Sequence, residues 1–148
     1  MTIMKKIYRQ IKVWFAFWGP PLALMGFIFY LSSRPFFQIS PQYWLNFLFF
    51  KFLHYLEYCF LTFLFFRAWR GTYIKNNIKK AILAAFIAAF FWAVTDEIHQ
   101  LFVPTRQGAL RDIFIDTLGN VSALACIWFV IPTAPKKLRP WVKKLGLL

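Results

Sequence analysis

The segment 95–120, TDEIHQLFVPTRQGALRDIFIDTLGN, concentrates ionisable groups in a chain that is otherwise strongly apolar. The chain has five acidic residues, and four of them lie in this segment: Asp96, Glu97, Asp112 and Asp116. The segment also contains His99, one of the two histidines. The fifth acid, Glu57, follows the other histidine, His54, by three residues inside another apolar run. Because isolated charges are costly in apolar surroundings, we expect the rest of the chain to be a frame that brings these groups together.

The composition predicts an integral membrane protein. The 148 residues are 60% hydrophobic and 22% aromatic, with a mean hydropathy of +0.54, whereas a soluble domain is about 45–50% apolar. Four apolar runs have the length of about 20 residues that a helix needs to cross a bilayer. The predicted fold class is therefore all-α, a polytopic membrane protein built as a bundle of four transmembrane helices. The chain 1–148 is expected to form one domain, with spans at about 13–31, 44–66, 81–103 and 112–131 and a basic tail at 132–148.

The basic residues flank the apolar runs, which is typical of a membrane protein rather than of a nucleic-acid-binding domain. The formal net charge is +13, from eighteen Lys and Arg and five acids. Fourteen of the basic residues lie in the N-terminus, in the connection between the second and third spans and in the tail. The opposite side of the membrane has Arg34, Arg106 and Arg111. This asymmetry predicts that the N-terminus and the C-terminus are both cytoplasmic.

Polar residues follow one helical face in the second and fourth predicted spans. The second span places three of them at spacings of three and four, with Glu57 beside them: Lys51, His54 and Tyr58. The fourth span repeats a spacing of four: Asp112, Asp116 and Asn120. With the predicted orientation and a rise of about 1.5 Å per residue, the ionisable groups of these two spans fall in the outer half of the bilayer. The polar residues 96–100 at the end of the third span lie at a similar depth. We therefore expect one shared polar pocket that faces outward.

The order of residues in the polar segment resembles the signature of VanZ-like membrane proteins. The run 96–106, DEIHQLFVPTR, followed by Asp112 and Gly119, carries the resemblance. Lys51 and His54, with Tyr58 one turn further on, resemble a second motif of the family. The resemblance covers roughly residues 20–131.

Two positions depart from the family pattern. Asp116 stands where the family often has Asn, and Thr105 stands where it often has Gly. The resemblance implies a small multi-span protein of the bacterial cell membrane. The namesake of the family is linked to low-level resistance to the glycopeptide teicoplanin, so the resemblance supplies a class and a setting but no mechanism.

One hypothesis is an enzyme that acts on a lipid or a lipid-linked envelope precursor at the outer leaflet. The catalytic candidates are carboxylates for general base chemistry and histidines for proton transfer: Glu97, Asp112, His99 and His54. The candidates for substrate binding are Lys51, Gln100, Arg106, Arg111, Asp96 and Asp116. Guanidinium groups suit an anionic headgroup or phosphate. The histidines and carboxylates could instead bind a divalent metal through N and O ligands, an alternative disfavoured because the sequence has no His-x-x-x-His pair or zinc signature. The sequence leaves the identity of any cofactor open.

Other classes of function are compatible with the same residues. The pocket could hold a lipid headgroup or a glycopeptide without chemistry, which would make the chain a shielding protein. Four spans without an internal repeat could form a transporter or flippase only as a homo-oligomer. The ionisable groups could also serve only to clamp helices together, although buried ion pairs seldom add stability over apolar packing. The expected partners are membrane lipids and a lipid-linked substrate or glycopeptide, and no nucleic acid.

Overall fold

The computed structural model describes residues 2–35, 39–104, 106 and 108–147, and the regular elements within these ranges are all helical. Thr105, one of the two departures from the family pattern, lies outside the described residues. The helices are α1 (Thr2–Ser32), α2 (Tyr43–Thr72), α3 (Ile78–Gln100), α4 (Leu110–Ala125) and α5 (Arg139–Lys144). A π-helical turn, Cys126–Val130, and a 3-10 turn, Ile131–Thr133, continue α4.

Within the described residues, four helical segments are long and apolar enough to cross a membrane: Ile3–Ser32, Tyr43–Thr72, Ile78–Gln100 and Leu110–Thr133. The prediction of an all-α polytopic membrane protein is therefore confirmed. Helices α1 and α2 extend well beyond the predicted spans. Their basic ends contain good helix formers such as Lys and Arg, so the helical hydrogen bonds continue into the headgroup layer of the membrane. Helix α3 ends three residues before its predicted boundary, in a turn that leads to Pro104.

Helix α2 is the centre of the bundle and packs most extensively against α4, with further contacts to α3 and α1. Gly119 lies where α4 meets α2, and a Cβ atom at this position would collide with the backbone carbonyl of Tyr55. Helix α3 presents a stripe of fully buried alanines at a spacing of four: Ala81, Ala85, Ala89 and Ala93. Small residues of this kind let neighbouring helices approach closely.

Large apolar side chains face outward and polar side chains face inward. Phe52, Phe60, Phe91 and Phe114 are all more than half exposed. The buried polar residues include Asn46, Thr62, Asp96, Glu97, Gln100, Asp112, Asp116 and Asn120. This distribution is expected in the hydrocarbon core of a bilayer, where polar groups must find partners inside the protein.

The C-terminal tail folds back against the end of the bundle that holds the start of α1 and the end of α2. Val142 and Leu147 pack against the hydrophobic core. Gly146 has a positive φ of 74° and lies beside the side chains of Arg67 and Phe17. The basic segments therefore gather at this end, whereas the acidic residues lie towards the other end.

Candidate functional site

An ion pair joins the first half of α2 to the first turn of α4. The Nζ atom of Lys51 lies 2.5 Å from Oδ2 of Asp112, and Nε of Arg111 lies 3.6 Å from Oδ1 of the same carboxylate. Both cations lie over the ring of Phe47, with Lys51 Nζ at 5.8 Å and Arg111 Cζ at 4.6 Å from the centroid. Asp112 also benefits from the positive end of the α4 dipole. The structure thus brings together three of the predicted site residues.

One turn further along α2, His54 faces two carboxylates. Its Nδ1 atom lies 3.7 Å from Oδ1 of Asp116 and 3.9 Å from Oε2 of Glu57. These distances are too long for hydrogen bonds. Within the described residues, Nδ1 of His54, Oδ1 of Asp116 and the hydroxyl of Tyr58 are buried without a hydrogen-bond partner. Buried polar atoms are normally hydrogen-bonded, so these three atoms are exceptions.

Asp96 connects α3 to the end of α1. Its Oδ2 atom accepts hydrogen bonds from the hydroxyl of Ser32, at 2.8 Å, and from the amide of Gln100, at 3.0 Å. All three side chains are at least 95% buried. The sequence predicts substrate binding for Asp96 and Gln100; in the structure the bond from Ser32 to Asp96 joins α1 to α3, and the bond from Gln100 lies within α3.

Glu97 contacts the backbone where the chain enters α4. Its Oε1 atom accepts a hydrogen bond from the backbone N–H of Ala109, the residue immediately before α4. The preceding Gly108 approaches closely, since a Cβ atom there would lie 2.9 Å from the carbonyl oxygen of Glu97. Glu97, a predicted general base, therefore has a clear positioning role for the start of α4.

Arg106 closes the open end of α1. Its Nε atom donates to the carbonyl of Arg34, at 3.0 Å, and its Nη2 atom donates to that of Leu31, at 3.2 Å. The Leu31 carbonyl belongs to the last turn of α1, where intrahelical donors are lacking, and it also accepts from the backbone N–H of Arg34 at 3.1 Å. Burial lowers the pKa of Arg106 and the neighbouring acids Asp96 and Glu57 oppose that shift. The guanidinium remains charged at neutral pH, because its ordinary pKa is far higher.

His99 is directed towards α1. Its ring stacks on Phe29 with centroids 4.0 Å apart, and its Nε2 atom lies 2.9 Å from the hydroxyl of Ser33. His99 therefore contacts α1, whereas His54 faces Glu57 and Asp116. The structure therefore does not join the two histidines that the sequence offered as proton carriers.

Two adjoining cavities open beside His54 and Arg106, and together we call them the polar cavity. One, of about 310 Å³, lies between α1 and α2, and the other, of about 290 Å³, lies between α2 and α4. His54 and Arg106 line both. The remaining charged lining residues are Arg34, Lys51, Glu57, Arg111 and Asp112, and the apolar wall contains Leu31, Phe49 and Leu53. Cations outnumber acids in this lining, and an apolar surface adjoins them.

Sequence reasoning missed several polar partners. Ser32 holds Asp96 although it looks like an ordinary end of an apolar run. Thr62 donates at 2.8 Å to Oδ1 of Asn120, and both side chains are fully buried. Thr62 lies one turn beyond Tyr58, so an extension of the polar face of α2 by four residues would have found it.

Among the described residues, no group of three or more His, Cys, Asp and Glu side chains is arranged to hold a metal ion. The charged and titratable groups that line the polar cavity are Lys and Arg side chains, two carboxylates and His54.

Comparison with known proteins supplies the family. A sequence model of the VanZ/LLP1 family matches residues 15–131. Comparison with curated proteins and with solved structures finds no match. The matched range includes the whole of the second and third membrane-crossing segments, most of the first and fourth, and every residue that lines the polar cavity. The chain is a multi-pass membrane protein, and it belongs to the VanZ/LLP1 family.

Proposed function

We propose that the polar cavity binds an amphiphile of the cell envelope, with its anionic group against the cavity's cations and its apolar part against the neighbouring wall. The ligand class comprises lipids, lipid-linked envelope precursors and glycopeptides that carry an acyl chain. The lining carries the proposal: Arg34, Lys51, Arg106 and Arg111 surround the opening with only Glu57 and Asp112 to balance them.

The contacts of Glu97 and Asp96 favour a binding protein over an enzyme in which these two carboxylates act as acid or base. One oxygen of Glu97 accepts from the backbone of Ala109, and one oxygen of Asp96 accepts from Ser32 and Gln100. Arg111 is different, because its side chain is 61% exposed at the rim and its guanidinium is available to a ligand. A planar guanidinium is well suited to phosphate and carboxylate groups.

Arg111→Gln provides the test, since this exposed side chain can lose its charge with little effect on the fold. We expect weaker binding of farnesyl phosphate and of teicoplanin to the full chain in phosphatidylcholine nanodiscs. Lys136→Gln, an exposed cation in the tail, is the matched control and should bind both probes as the unmodified chain does. Equal binding by Arg111→Gln and Lys136→Gln would contradict the proposal.

We further propose that the chain lies in the bacterial cytoplasmic membrane with both termini in the cytoplasm and the polar cavity open to the outside. The support is the gathering of fourteen of the eighteen Lys and Arg at the other end of the bundle. A single cysteine introduced at Arg111, in a chain without Cys59 and Cys126, should react with an impermeant maleimide added to intact cells. Labelling only after lysis would overturn this orientation.

A second candidate, acid–base catalysis at the same site, is favoured by one observation. The Nδ1 atom of His54 faces two carboxylates, Asp116 and Glu57, without a hydrogen bond to either. A histidine in this position could take a proton from a bound group and pass it to a carboxylate. His54→Gln would then abolish turnover of a bound lipid while retaining its binding, whereas a binding protein would show no turnover in either chain.

A further inference from the structure

A separate cavity of about 640 Å³ lies between the N-terminal part of α1 and the C-terminal end of α2. We call it the basic groove and define it by Lys6, Arg9, Trp14, Tyr73 and Lys75. It lies at the opposite end of the bundle from the polar cavity. Gly71 lies fourteen positions after Glu57 on α2, which corresponds to about 21 Å at 1.5 Å per residue.

The three cations of the basic groove have no acidic partner. All five acids of the chain belong to the cluster at the other end, and Glu57 is the one nearest to the groove along α2. In the part of the chain that the structure describes, none of the ion pairs involves Lys6, Arg9 or Lys75. The five acidic side chains of the protein therefore do not balance the charge of this groove among the described residues.

Aromatic groups place the basic groove at the membrane surface. The indole N–H of Trp14 donates to the hydroxyl of Tyr73 at 3.3 Å, and Trp14 stacks on Trp18. Trp18 in turn donates to the hydroxyl of Thr72 at 3.1 Å. Indole and phenol side chains collect at the headgroup layer, where one part of the ring is wet and the other is apolar.

We propose that the basic groove binds the phosphate-bearing headgroup of an anionic phospholipid in the leaflet opposite the polar cavity. The charge of the groove is complementary to that headgroup, and its aromatic wall suits the upper part of the acyl chains. A free phosphate ion would satisfy the cations alone, but it would not use the apolar and aromatic side of the groove. Juxtamembrane cations are known to attract anionic lipids in this way.

The walls of the basic groove are held by contacts that do not involve its cations. A Cβ atom at Gly71 would fall into the ring of Phe17, so α1 and α2 touch directly at this point. The guanidinium of Arg67 lies 4.7 Å from the centroid of Phe17 and donates at 3.1 Å to the carbonyl of Ala16. Neutralising Lys6, Arg9 and Lys75 should therefore leave the fold intact, which circular dichroism and gel filtration would verify.

The experiment compares two triple variants of the full chain that lose the same charge. The first is Lys6→Gln, Arg9→Gln and Lys75→Gln. The control is Lys136→Gln, Lys137→Gln and Lys143→Gln, three exposed cations of the tail at the same end. The affinity for phosphatidylglycerol is measured by native mass spectrometry from nanodiscs that contain phosphatidylcholine with or without phosphatidylglycerol.

We expect the groove variant to lose affinity for phosphatidylglycerol by about fivefold for each cation removed, which corresponds to about 1 kcal/mol each. The control variant should retain the affinity of the unmodified chain. Equal losses in both variants would overturn the proposal in favour of diffuse surface charge. Displacement of the lipid by inorganic phosphate at comparable concentration would overturn it in favour of a free-anion site.

The two ligand sites can be tested independently. The groove variant leaves every residue of the polar cavity in place, so it should bind farnesyl phosphate as the unmodified chain does. Normal binding of farnesyl phosphate with loss of phosphatidylglycerol supports the basic groove as a separate site. Loss of farnesyl phosphate binding in the groove variant would show that the two ends are one site and would end the proposal.

Discussion

The Nζ atom of Lys51 and the Oδ2 atom of Asp112 are 2.5 Å apart, and this ion pair joins α2 to α4 at the edge of the polar cavity. The two side chains are 19% and 11% exposed, so the pair is largely removed from solvent. Its energetic role can be separated from the role of its charges in ligand binding.

Lys51→Met should lower the free energy of unfolding by about 2 kcal/mol, because it leaves the Asp112 carboxylate partly buried without its main partner. The double variant Lys51→Met and Asp112→Leu should recover most of this loss, since apolar replacement of both partners is nearly neutral. Unfolding by sodium dodecyl sulfate in mixed micelles measures both. A double variant as unstable as the sum of the single changes would contradict the expected coupling.

Glu97→Gln and Glu97→Ala should differ in stability. Glutamine retains a carbonyl oxygen that can accept from the backbone N–H of Ala109, whereas alanine leaves that part-buried donor unpaired, at a cost of about 1 kcal/mol. Thermal unfolding in detergent gives the comparison. If Glu97 is a general base instead, Glu97→Gln would abolish turnover while alanine and glutamine would unfold alike.

The hydrogen bond between Thr62 and Asn120 gives a prediction with an internal control. Thr62→Val removes the donor and should destabilise the chain by about 1 kcal/mol, a value typical of polar contacts between membrane helices. Thr117→Val should have little effect, because in the described structure the hydroxyl of Thr117 is buried without a hydrogen-bond partner. Equal unfolding transitions of the two variants would argue against the bond.

Gly119→Ala should weaken the packing of α2 on α4. The added methyl group would collide with the backbone of Tyr55, and overpacking of this kind costs about 1–3 kcal/mol. Gly26→Ala is the matched control, because a Cβ atom there meets nothing within 4 Å. That change should stabilise α1 by about 0.5–1 kcal/mol through helix propensity. Thermal unfolding in detergent should give a higher melting temperature for Gly26→Ala than for Gly119→Ala. A lower melting temperature for Gly26→Ala would refute the prediction.

Local sequence patterns were sufficient for the outline of this protein. Apolar runs of about 20 residues predict membrane-crossing helices, and a spacing of three and four places Lys51, His54 and Tyr58 on one face of α2. These inferences need only the rise and the period of a helix, which do not depend on the rest of the chain. The prediction that polar groups of α2, α3 and α4 share one pocket follows from the same rule, although His99 of α3 faces α1 instead.

The partner that each polar group meets depends on how the helices pack in three dimensions. His99 and Glu97 are two residues apart on α3, yet His99 faces Ser33 of α1 and Glu97 accepts from Ala109 before α4. Two residues correspond to about 200° of rotation around a helix, so their partners depend on which helices flank α3. Apolar length and helical period were enough to predict a four-span helical membrane protein with its acids towards one end. The rotation and contacts of the helices, set by close packing at Gly119 and along the alanines of α3, decided that Lys51 pairs with Asp112 and that the cations line a cavity.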